Sequence, residues 1–518
     1  MRFAELVATS RAVAETSGRL QKIAHLAALL ERVPPTELDT AIAFLSGAPR
    51  QGRIGIGYAA IAEARQIAPA GETTLEFADV DQAFDRIAAA AGPGSASDKA
   101  QLLRDLLARA THDEQNLITR LISGELRQGA LEGVLVEAVA RAAKIPASRI
   151  RRAAMLAGDL APVARAALAD GTSALDALVI RPFQPVQPML AQSAAEVGDA
   201  LTSLGEALLE FKLDGARVQV HKAGDDVRIY SRNLRDVTEA VPEVVELVRL
   251  LPARELILDG EVIALRPDAT PQPFQITMRR FGRKLDVDRL RETIPISPFF
   301  FDCLYIDGET LIDEPLTRRT DLLDRVTPAA VHVPRIVTAS PEDAAAFVAR
   351  AIAAGHEGVM AKARDGVYAA GRRGQAWLKV KQARTLDLVV LAVEWGSGRR
   401  KGTLSNLHLG ARDAERGGFV MLGKTFKGLT DELLAWQTQK LLELEMARDS
   451  YTVFVRPELV VEIAFNEIQE SPQYPGRLAL RFARVKRYRT DKTAAEADTF
   501  AAVQNFYRQQ TGLEPPPR

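Results

Sequence analysis

Glu210-Phe211-Lys212-Leu213-Asp214-Gly215-Ala216-Arg217 is the stretch on which the reading of this chain turns. Apolar residues alternate into it from Leu208 and away from it through Val218 and Val220, the period-two pattern of strands. The spacing predicts strand, tight Asp-Gly turn, strand, with Lys212 at the bend and Arg217 just after the turn. A lysine so placed can face a ligand pocket and be stripped of water. Desolvation and a cationic neighbour such as Arg217 disfavour the ammonium, and the neutral amine is a nucleophile. A hairpin with a surface lysine fits the same eight residues, so the rest of the chain must decide between the two.

The chain has 518 residues, enough for about three domains with sizeable cores. Its 47% hydrophobic and 26% charged content is that of a soluble globular protein. Formal net charge is zero, so a nucleic-acid partner would meet local basic patches rather than an overall positive field. The single cysteine, Cys303, excludes a disulfide framework and cysteine-cluster zinc sites, and suits a reducing interior. The start, Met1-Arg2-Phe3-Ala4-Glu5, lacks the apolar core of a signal peptide, and no apolar run approaches a membrane span. The expectation is a cytoplasmic protein with no membrane partner.

Upstream, residues 1 to about 180 are rich in Ala, Leu and Arg and read as helices. Leu20, Ile23, Leu26, Leu29 and Leu30 form one apolar stripe at helical spacing. Gly92-Pro93-Gly94-Ser95 breaks the chain, and Ser97 is the expected cap of the helix through Leu102 to Leu107. Gln51 to Gly57 and Ser123 to Gly129 each put glycines and an arginine at a helix boundary, where backbone N–H groups can approach phosphate or simply link helices. Arg181 to Pro188 is a proline-spaced connector that cannot continue a helix, and a domain boundary is placed there. From about 206 to 382 strands alternate with helices such as Pro242 to Leu251 and Pro341 to Ala354. A second strand-rich region opens at Asp387 to Glu394 and runs to about Arg489, followed by a helix through Phe500, Val503 and Tyr507.

Further stretches carry charge in a fixed order. They are Ser231-Arg232-Asn233 after the first hairpin, Leu258-Asp259-Gly260-Glu261-Val262 as a strand ending in a carboxylate, and Phe299-Phe300-Phe301-Asp302 opening another strand. Glu357-Gly358-Val359-Met360-Ala361-Lys362 follows at a strand entry, then Trp377-Leu378-Lys379-Val380-Lys381 and the basic run Arg481 to Lys492. Singly, each has a plain reading as turn, solvated strand face or core. Together and in this order they resemble the six motifs of the covalent nucleotidyltransferases: ATP-dependent DNA ligases, RNA ligases and mRNA capping enzymes. The resemblance to three-domain ATP-dependent DNA ligases covers nearly the whole chain. Thr119 to Ala142 looks like the signature segment of their helical domain, and Gly396 to Gly402 like the early hairpin of their OB fold. Ala483 departs from the family's frequent proline.

The resemblance implies an all-α DNA-binding domain over 1–183 and an α/β nucleotidyltransferase (adenylation) domain of antiparallel sheets over 184–383. It implies a β-barrel OB-fold domain with a C-terminal helix and tail over 384–518. It implies that Lys212 attacks the α-phosphate of ATP, that AMP passes to the 5′-phosphate of a nick, and that the 3′-hydroxyl displaces AMP. On the same grounds Glu210 would accept from the adenine amino group and Phe301 would stack on the ring. Arg217 and Arg232 would bind ribose and phosphate, and Glu261 the ribose or a metal. Glu357 would hold Mg²⁺; Arg373 (with Arg372 a near rival), Lys379 and Lys381 would balance phosphate charge. Arg489 and Lys492 would meet the outgoing pyrophosphate. Such chemistry needs positioning and charge neutralisation more than special acids and bases, which suits the dense Arg, Lys and Glu. The implied partner is nicked double-stranded DNA met by a monomer. Rival readings are an RNA ligase or capping enzyme, a non-catalytic nick-binding clamp, and a small-molecule adenylating enzyme. The helical domain opposes the first and third, and the intact lysine and both glutamates the second.

Overall fold

The computed structural model describes residues 1–126, 132–281, 287–369, 373–381 and 384–517, without the side chains of 288, 373, 374 and 399. Up to Asp176 the described chain is helical, and one apolar core holds the helices together. At its centre Phe44 meets Phe3 and Phe84 edge to face, with ring centroids 6.1 and 5.8 Å apart, and stacks on Phe77. Ile23, Leu26, Leu29 and Leu30 face this core, but Leu20, in the first turn of its helix, is 78% exposed. The helix after the Gly-Pro-Gly break runs Ser95–Ala108 with Gly94 as its N-cap. Ser97 is therefore inside the first turn rather than at the cap, because Gly94 takes the left-handed turn (φ 90°) that starts the helix three residues early. The expected boundaries at Gly57 and Gly124 are a helix start and a helix end. Arg127, Gln128 and Gly129 lie outside the described residues.

Among the described residues ten strands follow: β1 Leu190–Ala194, β2 Ala207–Phe211, β3 Ala216–Ala223, β4 Asp226–Ser231, β5 Glu255–Ala264, β6 Ile296–Ile306, β7 Glu309–Thr310, β8 Arg335–Thr338, β9 Gly358–Ala363 and β10 Arg373–Lys381. They form two sheets, ordered β1-β10-β9-β2-β8 and β4-β3-β5-β6-β7. All pairings are antiparallel except β1 with β10, which is parallel. The strands on either side of Lys212 do not form the expected hairpin. β2 pairs with β8 and β9, β3 pairs with β4 and β5, and residues 212–215 cross from one sheet to the other. The turn residues are the same in either case; long-range pairing decides. Helices Val197–Leu204 and Pro341–Ala353 cover the first sheet, and Pro242–Arg249 and Leu316–Val326 the second. Glu261 lies within β5, not at its end.

Beyond Lys381 the described residues hold nine further strands: β11 Arg384–Trp395, β12 Leu404–Arg412, β13 Phe419–Thr425, β14 Glu445–Arg448, β15 Thr452–Val455, β16 Val460–Phe465, β17 Glu467–Glu470, β18 Leu478–Arg481 and β19 Arg484–Tyr488. β11 is long enough to pair with β12 along one edge and with both β15 and β16 along the other. The Gly396–Gly402 stretch joins β11 to β12, and helix Phe500–Thr511 packs Phe500, Val503 and Tyr507 into this core. Among the described residues no helix is long and apolar enough to cross a membrane.

Candidate active site

The crossover between the two sheets holds Lys212 by its own backbone. Lys212 N–H donates to the Gly358 carbonyl (2.8 Å), and Glu357 N–H donates to the Lys212 carbonyl (3.1 Å). These reciprocal bonds put Lys212 and Glu357 side by side although 145 residues separate them, by subtraction of their numbers. Gly215 and Gly358 let the backbones come this close. A Cβ on Gly215 would lie 2.4 Å from the Val262 carbonyl oxygen, and one on Gly358 2.2 Å from that of Val380.

Lys212 Nζ forms an ion pair with Glu357, whose other oxygen accepts from Lys381 Nζ at 2.7 Å. Burial works against the Lys212 ammonium, but Glu357 first, then Glu261 and Asp214, outweigh it and hold its pKa above the ordinary lysine value. This corrects the expectation of a lysine neutralised by desolvation and Arg217: the neighbours that count are carboxylates. The same contacts hold Glu357 below the ordinary carboxylate range against its burial. Burial, then Lys212, keeps the pKa of Lys381 low. Glu261 accepts the Gly215 N–H at 3.2 Å, and burial pushes it up to about 7.

A cavity of about 670 Å³ opens above these groups, within the range of small-molecule sites. Glu210, Lys212, Arg217, Arg232, Glu261, Phe301, Glu357, Lys379 and Lys381 all line it. Nine of the expected site residues, drawn from both sheets and the crossover, therefore converge. Arg217 does so indirectly. Its guanidinium is bidentate to Asp259 (3.0 and 2.6 Å) and donates to the Met189 carbonyl at 2.7 Å, so protein groups take the donors expected to bind ribose and phosphate. Tyr368 Oη donates to the same Asp259 at 2.8 Å. The Arg373 side chain, and Arg372 altogether, lie outside the described residues.

Arg489 and Lys492 do not reach the cavity. Both donate to Asp387 at the start of β11, at 2.8 and 2.6 Å, and Asp491 also accepts from Arg489. The C-terminal region instead contributes Asn466, Arg481 and Phe482 to the lining, with the Arg481 guanidinium 4.1 Å from the centre of the Phe274 ring. Sequence reasoning gave no role to Lys362 and Trp377, though both stood within the motifs quoted. Lys362 ion-pairs with Glu210 at 2.5 Å and lies 4.5 and 4.4 Å from the Phe301 and Trp377 ring centres. The alternation of β10 puts Trp377 on the same face as Lys379 and Lys381, and that signal could have found it.

An amine among carboxylates, flanked by lysines and arginines in a nucleotide-sized cavity, suits transfer of a phosphoryl-type group onto nitrogen. Comparison with known proteins points the same way. A family model described as "ATP dependent DNA ligase domain" matches residues 188–381, one described as "ATP dependent DNA ligase C terminal region" matches 400–492, and "DNA ligase N terminus" matches 58–140. A curated protein named "Probable DNA ligase" from Anaeromyxobacter sp. (strain Fw109-5) is 60% identical over 516 residues, 99% of either chain. Another of that name, from Sorangium cellulosum (strain So ce56), is 55% identical over 98% of this chain and 95% of its own. The solved structure called "Pmar-Lig_PreS3" shares the fold at a TM-score of 0.62 and 19% identity, over 93% of this chain and 99% of the other.

Proposed function

The chain belongs to the ATP-dependent DNA ligase family, and from that premise we propose that it seals nicks in duplex DNA through a lysyl-AMP and a DNA-adenylate. The observation that carries the proposal is Lys212, gripped by Glu357 at the crossover between two sheets and facing a cavity lined with cations. Lys212 Nζ forms a bond to the α-phosphorus of ATP as the bond to pyrophosphate breaks. The ammonium must first lose its proton, which passes to solvent water entering the cavity. Drawing the Glu357 carboxylate away removes the main force that raises the Lys212 pKa and leaves burial, which favours the neutral amine. Lys379 and Lys381 balance the phosphate charge, Phe301 stacks on adenine, and Glu210 accepts from its amino group. Arg217, held by Asp259, presents a fixed positive charge to ribose and phosphate, and Arg232 and Arg373 add to it.

Among the described residues no group of three carboxylates, imidazoles or thiols is arranged to hold a metal. The pair Glu261 and Glu357, both lining the cavity and both acting on the Lys212 charge, suits Mg²⁺, which takes one or two carboxylates and completes its shell with phosphate and water. Mg²⁺ held there would act as a Lewis acid on the phosphate oxygens.

In this reading residues 1–183 bind DNA, 184–383 adenylylate and 384–518 form an OB-fold domain. The protein is a cytoplasmic monomer serving DNA replication, repair or recombination. Arg489 and Lys492 act on pyrophosphate when the C-terminal region turns them toward the cavity, and Asp387 holds them once AMP is on Lys212. The test is incubation with labelled ATP, a search for acid-labile label on the chain, then addition of nicked duplex. Lys212→Ala and Lys212→Arg should both lose label and sealing, since a guanidinium stays protonated. Labelling of Lys212→Ala at the wild-type rate would refute the proposal.

A further inference from the structure

Lys362 differs from the other cations of the cavity in its surroundings. It is 1% exposed, against 20% for Lys212, and the faces of Phe301 and Trp377 enclose its ammonium. Its hydrogen-bonding partners are Glu210 and, at 3.4 Å, the Phe301 carbonyl. Glu210 is equally enclosed, at 2% exposed. One carboxylate oxygen, Oε2, is taken by Lys362. The other, Oε1, is buried, finds no hydrogen-bond donor among the described residues, and belongs to a side chain that lines the cavity. A buried acceptor without a donor is costly, and a ligand donor at that point relieves the cost.

We propose that Lys362 sets the purine preference of the site by keeping Glu210 a pure acceptor aimed at the base. The inference deepens the functional reading above and rests on it. An ionised carboxylate only accepts, whereas a protonated one also donates. Facing an ionised Glu210, a purine with an amino group at C6 supplies the missing donor. A purine with a carbonyl at C6 sets acceptor against acceptor at that position, and its nearest donor, N1–H, reaches the buried oxygen only if the base shifts. Sites that read a ligand donor in this way reject analogues lacking it by large factors. Burial already pushes the Glu210 pKa above the ordinary carboxylate range, and Lys362 is the largest force opposing it; with that cation gone the neutral acid would prevail, its O–H could satisfy a C6 carbonyl, and the discrimination would fall. Lys362 is thus a specificity-determining residue, acting through Glu210 rather than on the reacting phosphorus.

The experiment compares labelling of Lys212 by ATP and by ITP, which carries a carbonyl at C6 and no amino group at C2. Both rates are measured on one preparation, so their ratio is independent of how much of the variant is folded. Wild type should favour ATP strongly. Lys362→Met should lower the ATP-to-ITP ratio by about 100-fold, while Lys362→Arg, which keeps the charge, should hold it within about 3-fold of wild type. A merely structural Lys362 would slow both nucleotides together, and an unchanged ratio in Lys362→Met overturns the inference while leaving the ligase reading intact. If Lys362→Met takes neither nucleotide, the double variant Lys362→Met/Glu210→Gln decides. Its neutral amide can donate, so ITP labelling should appear, and its failure to appear overturns the inference. A wild type labelled by neither nucleotide overturns both this inference and the functional reading.

Discussion

Acid should loosen the connector between the helical region and the sheets, and His221 on β3 should be the cause. His221 is fully buried; its Nδ1 accepts the Phe183 N–H at 3.0 Å and its Nε2 lies 2.8 Å from Gln219 Oε1. Gln219 in turn accepts the Val186 N–H and donates to the Val186 carbonyl, and Tyr230 Oη donates to the Phe183 carbonyl. The proline-spaced connector is thus clasped by three side chains. An imidazolium has no lone pair left for Phe183, and burial lowers the His221 pKa to about 3 from an ordinary 6.5. The unfolded chain therefore binds a proton below pH 6.5 that the folded chain refuses until about pH 3. Stability from this residue is complete above pH 6.5 and falls as the pH drops, by about 1.4 kcal/mol per unit, or about 2 kcal/mol at pH 5. Glu261 and Asp214, both pushed up to about 7 by burial, act with the opposite sign, losing stability as the pH rises. The difference between wild type and His221→Gln isolates the histidine. We would follow hydrogen exchange of the Phe183 and Val186 amides from pH 7.5 to 4.5, together with urea unfolding. Parallel pH profiles for the two proteins would refute the reasoning.

Glu261→Ala and Glu357→Ala should each slow adenylylation by about 100-fold or more and shift Mg²⁺ titrations to higher concentration; unchanged metal dependence in both would make these carboxylates structural. Arg489→Ala and Lys492→Ala should lose about 100-fold in the reaction with ATP yet seal a pre-adenylylated nick within about 3-fold of wild type. Equal losses on the two substrates, measured in single turnovers, would assign this segment to DNA binding or folding. Asp387→Asn should free both cations and weaken sealing of the pre-adenylylated nick more than reaction with ATP, and the opposite order would remove its role as their resting partner. Removing residues 1–183 should cut affinity for nicked duplex and flatten its salt dependence, because phosphate contacts release counterions; an equal salt slope would exclude that region from the DNA contact.

The site was legible in the sequence as far as chemistry ties a residue type to a position near others. Lys212 two residues after Glu210 and two before Asp214, Glu261 in Asp-Gly-Glu, and Lys379 alternating with Lys381 are such patterns, and all of these residues line one cavity. Helices Pro242–Arg249 and Pro341–Ala353 were legible too, because each begins on a proline that fits the first helical turn. Lys362 stood in a quoted motif without a role, since nothing local says that a lysine five residues after Glu357 will be buried against Glu210.

By itself the sequence determined the candidate nucleophile, the order of the charged residues expected around it and the strand or helix character of most segments, because these follow from residue type and short-range periodicity. Only the tertiary structure decided which strands pair. Alternation assigns faces, not partners, so Ala207–Phe211 and Ala216–Ala223 read as a hairpin until each hydrogen-bonds into a different sheet. The same long-range packing brings Glu357 onto Lys212, turns Arg217 toward Asp259 and gives Arg489 and Lys492 to Asp387. Charge acts through space over a few ångströms, and which charges come that close depends on strand register and domain contacts that no local stretch encodes.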